Sequence, residues 1–266
     1  MIVDIASRSH VPLPLPSGPF KFIQPRVMIR RDGSILALWG EMTTDSGLKA
    51  TDASWKPKSV WGANFVQGRW RNIARIATAD GINWDGIGAS EFAESPDASI
   101  HLIVPAFRHM LPGMILHVAL IGDRWVTDEI QLRTEAAYTA LVATQAGLLA
   151  AVIAPVSDRT PDVNSVWTLP IPNGARPGKL ELVSRSGDKA ARDPRFVREA
   201  HGDLVLLWAQ PYQAGSMPTA IREVRSSNNG STWSSPVDDV PRIPPLELVS
   251  AFPEAISAAG GLYIAA

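Results

Sequence analysis

Apolar residues along this chain come in short runs, and each run stands behind a turn signal. Ile35-Leu36-Ala37-Leu38-Trp39 follows Asp32-Gly33, and Ile100 to Val104 follows Pro96-Asp97. Leu148 to Ile153 follows Gly147, Leu204 to Trp208 follows Gly202-Asp203, and Leu262-Tyr263-Ile264 follows Gly260-Gly261. A short apolar run entered from a Gly or Asp turn predicts a buried strand leaving a tight hairpin. No stretch shows the apolar period of a long amphipathic helix. The Ala-rich segment from Ala136 to Ala151 comes nearest, but Thr139, Val142, Thr144 and Gly147 oppose helix formation. It predicts two strands.

The runs belong to an internal repeat. Pro25-Arg26-Val27-Met28, continuing through Gly33 to Leu38-Trp39, aligns without a gap on Pro194-Arg195-Phe196-Val197, continuing through Gly202 to Leu207-Trp208. Weaker copies surround Thr139 to Ile153 and Pro253 to Ile264. Units begin near residues 25, 91, 138, 193 and 252, at a spacing of roughly fifty to sixty residues that suits radial β-repeat architectures. One small antiparallel sheet cannot bury both faces alone, so neighbours must stack, and a closed ring leaves only short protected edges.

Composition narrows the function. The 266 residues are 45% hydrophobic and 19% charged with a formal net charge of −1, which excludes a disordered chain and argues against a nucleic-acid partner. The absence of cysteine excludes a disulfide scaffold, a thiolate zinc site and a cysteine nucleophile. No apolar stretch reaches the length of a bilayer span and the first ten residues lack a secretory core, so no membrane partner and a cytoplasmic location are expected. None of the five histidines has metal-ligand spacing, and no phosphate-binding glycine loop is present. Neither a metal nor a cofactor is expected.

Ser226-Ser227-Asn228-Asn229-Gly230-Ser231-Thr232-Trp233 fits Ser-x-Asp/Asn-x-Gly-x-Thr-Trp at every fixed position. Asp80-Gly81-Ile82-Asn83-Trp84 and Gly122-Asp123-Arg124-Trp125 are degenerate versions. The octapeptide resembles the Asp-box, or bacterial neuraminidase repeat, of the sialidase superfamily. A second stretch is similar to the first blade of that superfamily: Phe22-Ile23-Gln24-Pro25, then Asp32-Gly33-Ser34 through Glu41, then Asp45. The resemblance implies a β-propeller of four-stranded antiparallel blades and an acid/base carboxylate at Asp45. It departs from the family where Ile23 stands for the first substrate-carboxylate arginine and Thr43 for a later arginine. The family's tyrosine nucleophile comes from late blades, and the chain ends at Ala266, so strict sialidase chemistry is not expected.

The repeat count favours five blades in one domain, residues 1–266, with the strand in Ile2 to Leu15 completing the last blade. An incomplete six-bladed ring is the alternative; it would expose sheet edges and pair with another copy of the chain. In either ring, the starts of the inner strands and the loops between second and third strands open on one face. On that face Asp45, Asp193 and Glu94 are the candidate catalytic carboxylates, and Arg192, which restores an Arg-x-Pro in the fourth unit, is the candidate anchor. Gln24, Glu41, Trp55, Tyr212 and Glu254 are candidate substrate contacts. The expected function is a divergent sialidase-like enzyme acting on a glycan or related small polar ligand. The alternative is a non-catalytic propeller that binds a ligand or protein partner.

Overall fold

The structure, a computed structural model, describes residues 2–4, 9–13, 15, 20–43, 59–79, 81–82, 92–107, 113–132, 134–155, 164–173, 176–184, 191–211, 218–238, 254–258 and 261–265. Every regular element among them is a strand. The first sheet is β3 (Phe20–Ile29), β4 (Ile35–Thr43), β5 (Ser59–Val66) and β6 (Arg69–Thr78). The second is β9 (Ile100–Phe107), β10 (Met114–Ile121) and β11 (Arg124–Gln131), with β7 (Gly81–Ile82) and β8 (Ala93–Glu94) both paired to β9. The third is β12 (Tyr138–Thr144), β13 (Gly147–Pro155), β14 (Asn164–Pro172) and β15 (Glu181–Leu182). The fourth is β16 (Arg192–Arg198), β17 (Leu204–Pro211), β18 (Pro218–Ser226) and β19 (Val237–Asp238). All pairings are antiparallel; the first, third and fourth sheets are meanders of consecutive strands, whereas in the second β7 and β8 share the edge of β9. The Ala-rich segment is two strands, as its turn chemistry predicts.

The first strands of successive sheets lie side by side: β12 packs against β8 and β9 on one side and β16 on the other, and β20 (Glu254–Ala258) lies beside β16. The sheets are therefore the blades of a β-propeller. Burial explains why the apolar runs show no alternation. In β13, Leu148, Ala150, Val152 and Ala154 join a core with Ile103 and Ile115 of the second blade. The intervening Leu149, Ala151 and Ile153 join Phe196, Leu206 and Trp208 of the fourth. A blade between two others is buried on both faces, so every position is apolar. The outermost long strand of a blade is not: β11 alternates exposed and partly covered positions.

The turns that close the first hairpins repeat one chemistry. Arg30 N donates to Ser34 O and Gly33 N to Arg30 O; the same pair of bonds joins Ser95 to Ser99 and Ala98, and Glu199 to Asp203 and Gly202. Gly33 and Gly202 take positive φ there, and Ala98 takes it without glycine's freedom, at 64°. The 226–233 turn closes through its own side chains. Ser226 Oγ accepts from Gly230 N (2.8 Å), Asn228 Oδ1 accepts from Thr232 N (2.9 Å), and Asn228 Nδ2 donates to Thr232 Oγ1 (2.8 Å). Trp233 then stacks on Phe196 of the same blade.

Each chain end forms a two-stranded hairpin. β1 (Ile2–Asp4) pairs with β2 (Ser9–Val11), and β20 pairs with β21 (Gly261–Ala265); no pairing joins these two hairpins among the described residues. Pro12 and Leu13 lie against the first blade. Leu13 packs against Ala37, Trp39 and Ala63, and Pro12 O accepts from Trp70 Nε1 at 2.8 Å.

Candidate functional site

β3 and β16 are the first strands of their blades. Both carry a bulge at the same point of the repeat. Ile23 pairs with Gly40 and Arg26 with Leu38; Arg192 pairs with Ala209 and Arg195 with Leu207. The cause lies in the sequence. Pro25 and Pro194 have no N–H to give to the ladder, so the strand skips a residue. The bulge leaves Asp193 fully buried, at 2% exposure, with φ of +49°. Aspartate is among the few residue types that visit this left-handed region, and buried residues held there concentrate at functional sites. Arg192 beside it is half-buried, and Arg195 is buried with Nη1 donating to Pro194 O at 3.1 Å.

Glu41 ends the apolar run of β4 and is also buried, but its carboxylate serves its own sheet. Arg75 on β6 donates through Nε (3.1 Å) and Nη2 (3.0 Å), and Trp61 Nε1 donates as well. The Arg75 guanidinium also lies over the Trp61 ring, 5.3 Å from its centroid. This is a forked, charge-assisted clamp across β4, β5 and β6.

Glu94 lies elsewhere than expected. The inner strand of the second blade is interrupted: β7 pairs with the Phe107 end of β9, and β8 with its Ile100 end. Glu94 therefore stands at the hairpin-turn end, opposite the end at which β3 and β16 begin. It accepts from Arg31 N at 3.2 Å, in the β3–β4 turn. Asp193 begins its strand at the other end of the ring, so Glu94 and Asp193 form no carboxylate pair. Asp45, Trp55 and Tyr212 lie outside the described residues. Gln24 and Glu254 fall in β3 and β20 at the backbone level.

Two polar groupings escape a reading of the sequence for open-face residues. At the β16–β17 turn, His201 Nε2 lies 3.2 Å from carboxylate oxygens of both Glu199 and Asp203, and Arg225 Nη1 lies 2.5 Å from Glu199. The donor atoms of Glu199, His201 and Asp203 lie within 4.8 Å of one another, the reach of a metal ion's ligands, and the Arg225 guanidinium pairs with Glu199. The alternation Glu-x-His-x-Asp across a tight turn is its sequence signal. The second grouping spans the second blade: Asp97, Ser99, His101, His117 and Asp128 follow one another across its face. The two imidazoles stack nearly parallel, with centroids 5.2 Å apart. Register between β9 and β10, not spacing in the sequence, brings the two histidines together.

Burial, reinforced by the neighbouring His117 and opposed by Asp97, pushes His101 down to about 4. A base whose folded value lies below its unfolded one favours folding when neutral. That contribution is complete above about pH 6.5 and is lost as pH falls through about 4. Allowing for partial solvent screening, the expected loss is about 2 kcal/mol. Urea melts at pH 7 and pH 4 should show wild type losing this much more stability than His101→Gln. Identical pH dependence of the two proteins would contradict the assignment.

No family model and no curated protein matches the chain. Solved structures share its fold. A protein of unknown function from Dyadobacter fermentans aligns with a TM-score of 0.61 at 14% identity, over 83% of this chain and 69% of that one. An α-L-arabinanase from Penicillium chrysogenum, solved with arabinobiose, aligns with a TM-score of 0.58 at 10% identity, over 92% of this chain and 75% of that one. The intramolecular trans-sialidase from Ruminococcus gnavus, solved with oseltamivir carboxylate, aligns with a TM-score of 0.54 at 11% identity, over 82% and 70%. At these identities the likeness establishes that the chain folds as these proteins do.

Proposed function

We propose that the chain is a divergent sialidase-like propeller that acts on a glycan or related small polar ligand at its open face. The observation that carries this reading is Asp193: a buried carboxylate in left-handed backbone, on a proline-driven bulge, at the mouth end of an inner strand and next to Arg192. Arg192 is the anchor, its planar guanidinium suited to forked pairing with a polar or anionic sugar group. Asp193 supplies one carboxylate of an acid/base pair, and Asp45, which follows β4 in the sequence, supplies the other. Glu41 holds the first blade together, and Glu94 belongs to the opposite end. The fold shared with an α-L-arabinanase and a trans-sialidase supports a sugar substrate, and the side-chain closure of the 226–233 turn supports the Asp-box resemblance.

The test is hydrolysis of a set of chromogenic aryl glycosides, pentosides and sialosides included. Asp193→Asn keeps the size of the side chain and its tolerance of positive φ, so its melting temperature should stay near that of wild type. Turnover should fall about a hundredfold or more. Arg192→Ala should raise KM more than it lowers kcat. Equal turnover by wild type and Asp193→Asn removes the catalytic reading. Glycan binding without turnover in wild type leaves the non-catalytic propeller in its place.

A further inference from the structure

The polar chain of the second blade ends at a groove that the open-face reading does not use. Ser99 Oγ lies 2.5 Å from Asp97 Oδ1, which also accepts from Ser99 N at 3.1 Å. Ser99 Oγ lies 2.9 Å from His101 Nε2, and His101 Nδ1 lies 3.0 Å from His117 Nε2. His117 Nδ1 lies 3.8 Å from Asp128 Oδ2, beyond hydrogen-bond reach.

The direction of every bond follows from the Asp97 end. The hydroxyl and amide of Ser99 hold the Asp97 carboxyl below the usual range, so it is ionised and the Ser99 proton points at it. Ser99 Oγ is then the acceptor, and His101 carries its proton on Nε2. A neutral imidazole has one N–H, so His101 Nδ1 is a lone pair and takes the proton of His117 Nε2. His117 Nδ1 is left as a bare lone pair beside the Asp128 carboxylate. Two acceptors stand side by side.

They face a groove of about 1150 Å³ between the second and third blades. Trp167 forms part of its lining, its Nε1 tied to Ala154 O at 3.2 Å. Arg176 and Lys179 also line it, so Asp128 and Glu129 are matched by two cations. A charged ligand of either sign meets a like charge there. A neutral ligand does not, and two adjacent acceptors call for two adjacent donors.

We propose that this groove is a second binding site, taking a neutral polyhydroxylated ligand, an oligosaccharide segment. Vicinal hydroxyls of the ligand donate to His117 Nδ1 and Asp128 Oδ2, and a sugar face packs on Trp167. The site stands on residues separate from the open face, so its failure leaves the reading of that face untouched.

The experiment is a titration of 15N-labelled protein at pH 7 with two linear neutral trisaccharides, one of pentoses and one of hexoses. Parallel arms use an anionic uronic-acid trimer and a cationic amino-sugar trimer. In the free protein, the His117 and His101 Nδ1 resonances should have the shifts of unprotonated nitrogens. At least one neutral trisaccharide should move His117 Nδ1 and the Trp167 indole resonance saturably, more tightly than either charged trimer. Asp128→Asn, a change at an exposed position, should weaken that binding about tenfold. Trp167→Phe, which keeps a ring in the wall, should weaken it less than Trp167→Ala. Protonated His117 Nδ1 in the free protein overturns the proposal. So does the absence of saturable shifts with both neutral trisaccharides, tighter binding of a charged trimer, or binding that Asp128→Asn leaves unchanged.

Discussion

Trp208→Ala should lower folding stability by about 4 kcal/mol, the usual cost of deleting a fully buried tryptophan. Trp208 has no exposed surface, and it fills the space between the third and fourth blades together with Ala140, Leu149, Ile153 and Phe196. Its indole nitrogen is also satisfied, donating to Gln210 Oε1 at 3.2 Å. The strands around it belong to two hydrogen-bonded sheets, so the cavity left by alanine cannot close without moving one blade against the next. For a chain of this size the corresponding drop in melting temperature is about 10 °C. Denaturant melts should show a lower midpoint at unchanged slope. A loss below about 1 kcal/mol would mean that the blades are not wedged at this point.

The second large effect is expected at the Glu41 clamp. Arg75→Met should cost about 2 kcal/mol, because it leaves the Glu41 carboxylate buried with an indole N–H in place of a forked cation. The estimate sits below that for a wholly buried pair because the Arg75 side chain is 45% exposed. Adding Glu41→Gln to Arg75→Met should recover most of the loss, since no buried charge then lacks its partner. A double-mutant cycle in urea measures this coupling directly. Independent, additive effects would show that the pair does not act as a unit, and would return Glu41 to the candidate substrate contacts.

Much of the architecture was legible in local chemistry. Asp-x-Ser and Gly at the turn before β4, and Gly147 before β13, mark hairpins because a side-chain oxygen and a residue free to take positive φ act within a few residues. The all-apolar run of β13 announced a strand covered on both faces. The repeat of Pro25 at Pro194 carried the bulge, because a missing N–H is a property of the residue itself. The site was less legible. Glu94 was misplaced because the inner strand of its blade is split into β7 and β8, and the sequence alone does not say which end of β9 each part meets.

What the sequence determined by itself is the all-β class, the strand and turn positions of the apolar runs and the repeat that makes blades of them. These depend on propensities and hydrogen-bonding groups that act over a turn or a strand. What only the tertiary structure decided is which polar groups meet. Register across β9 and β10 sets His101 against His117, sheet pairing carries Arg75 to Glu41, and the stacking of the second and third blades creates the groove beside Asp128. Such meetings result from the packing of whole sheets, in which each side chain's contribution is small, so no short stretch of sequence encodes them.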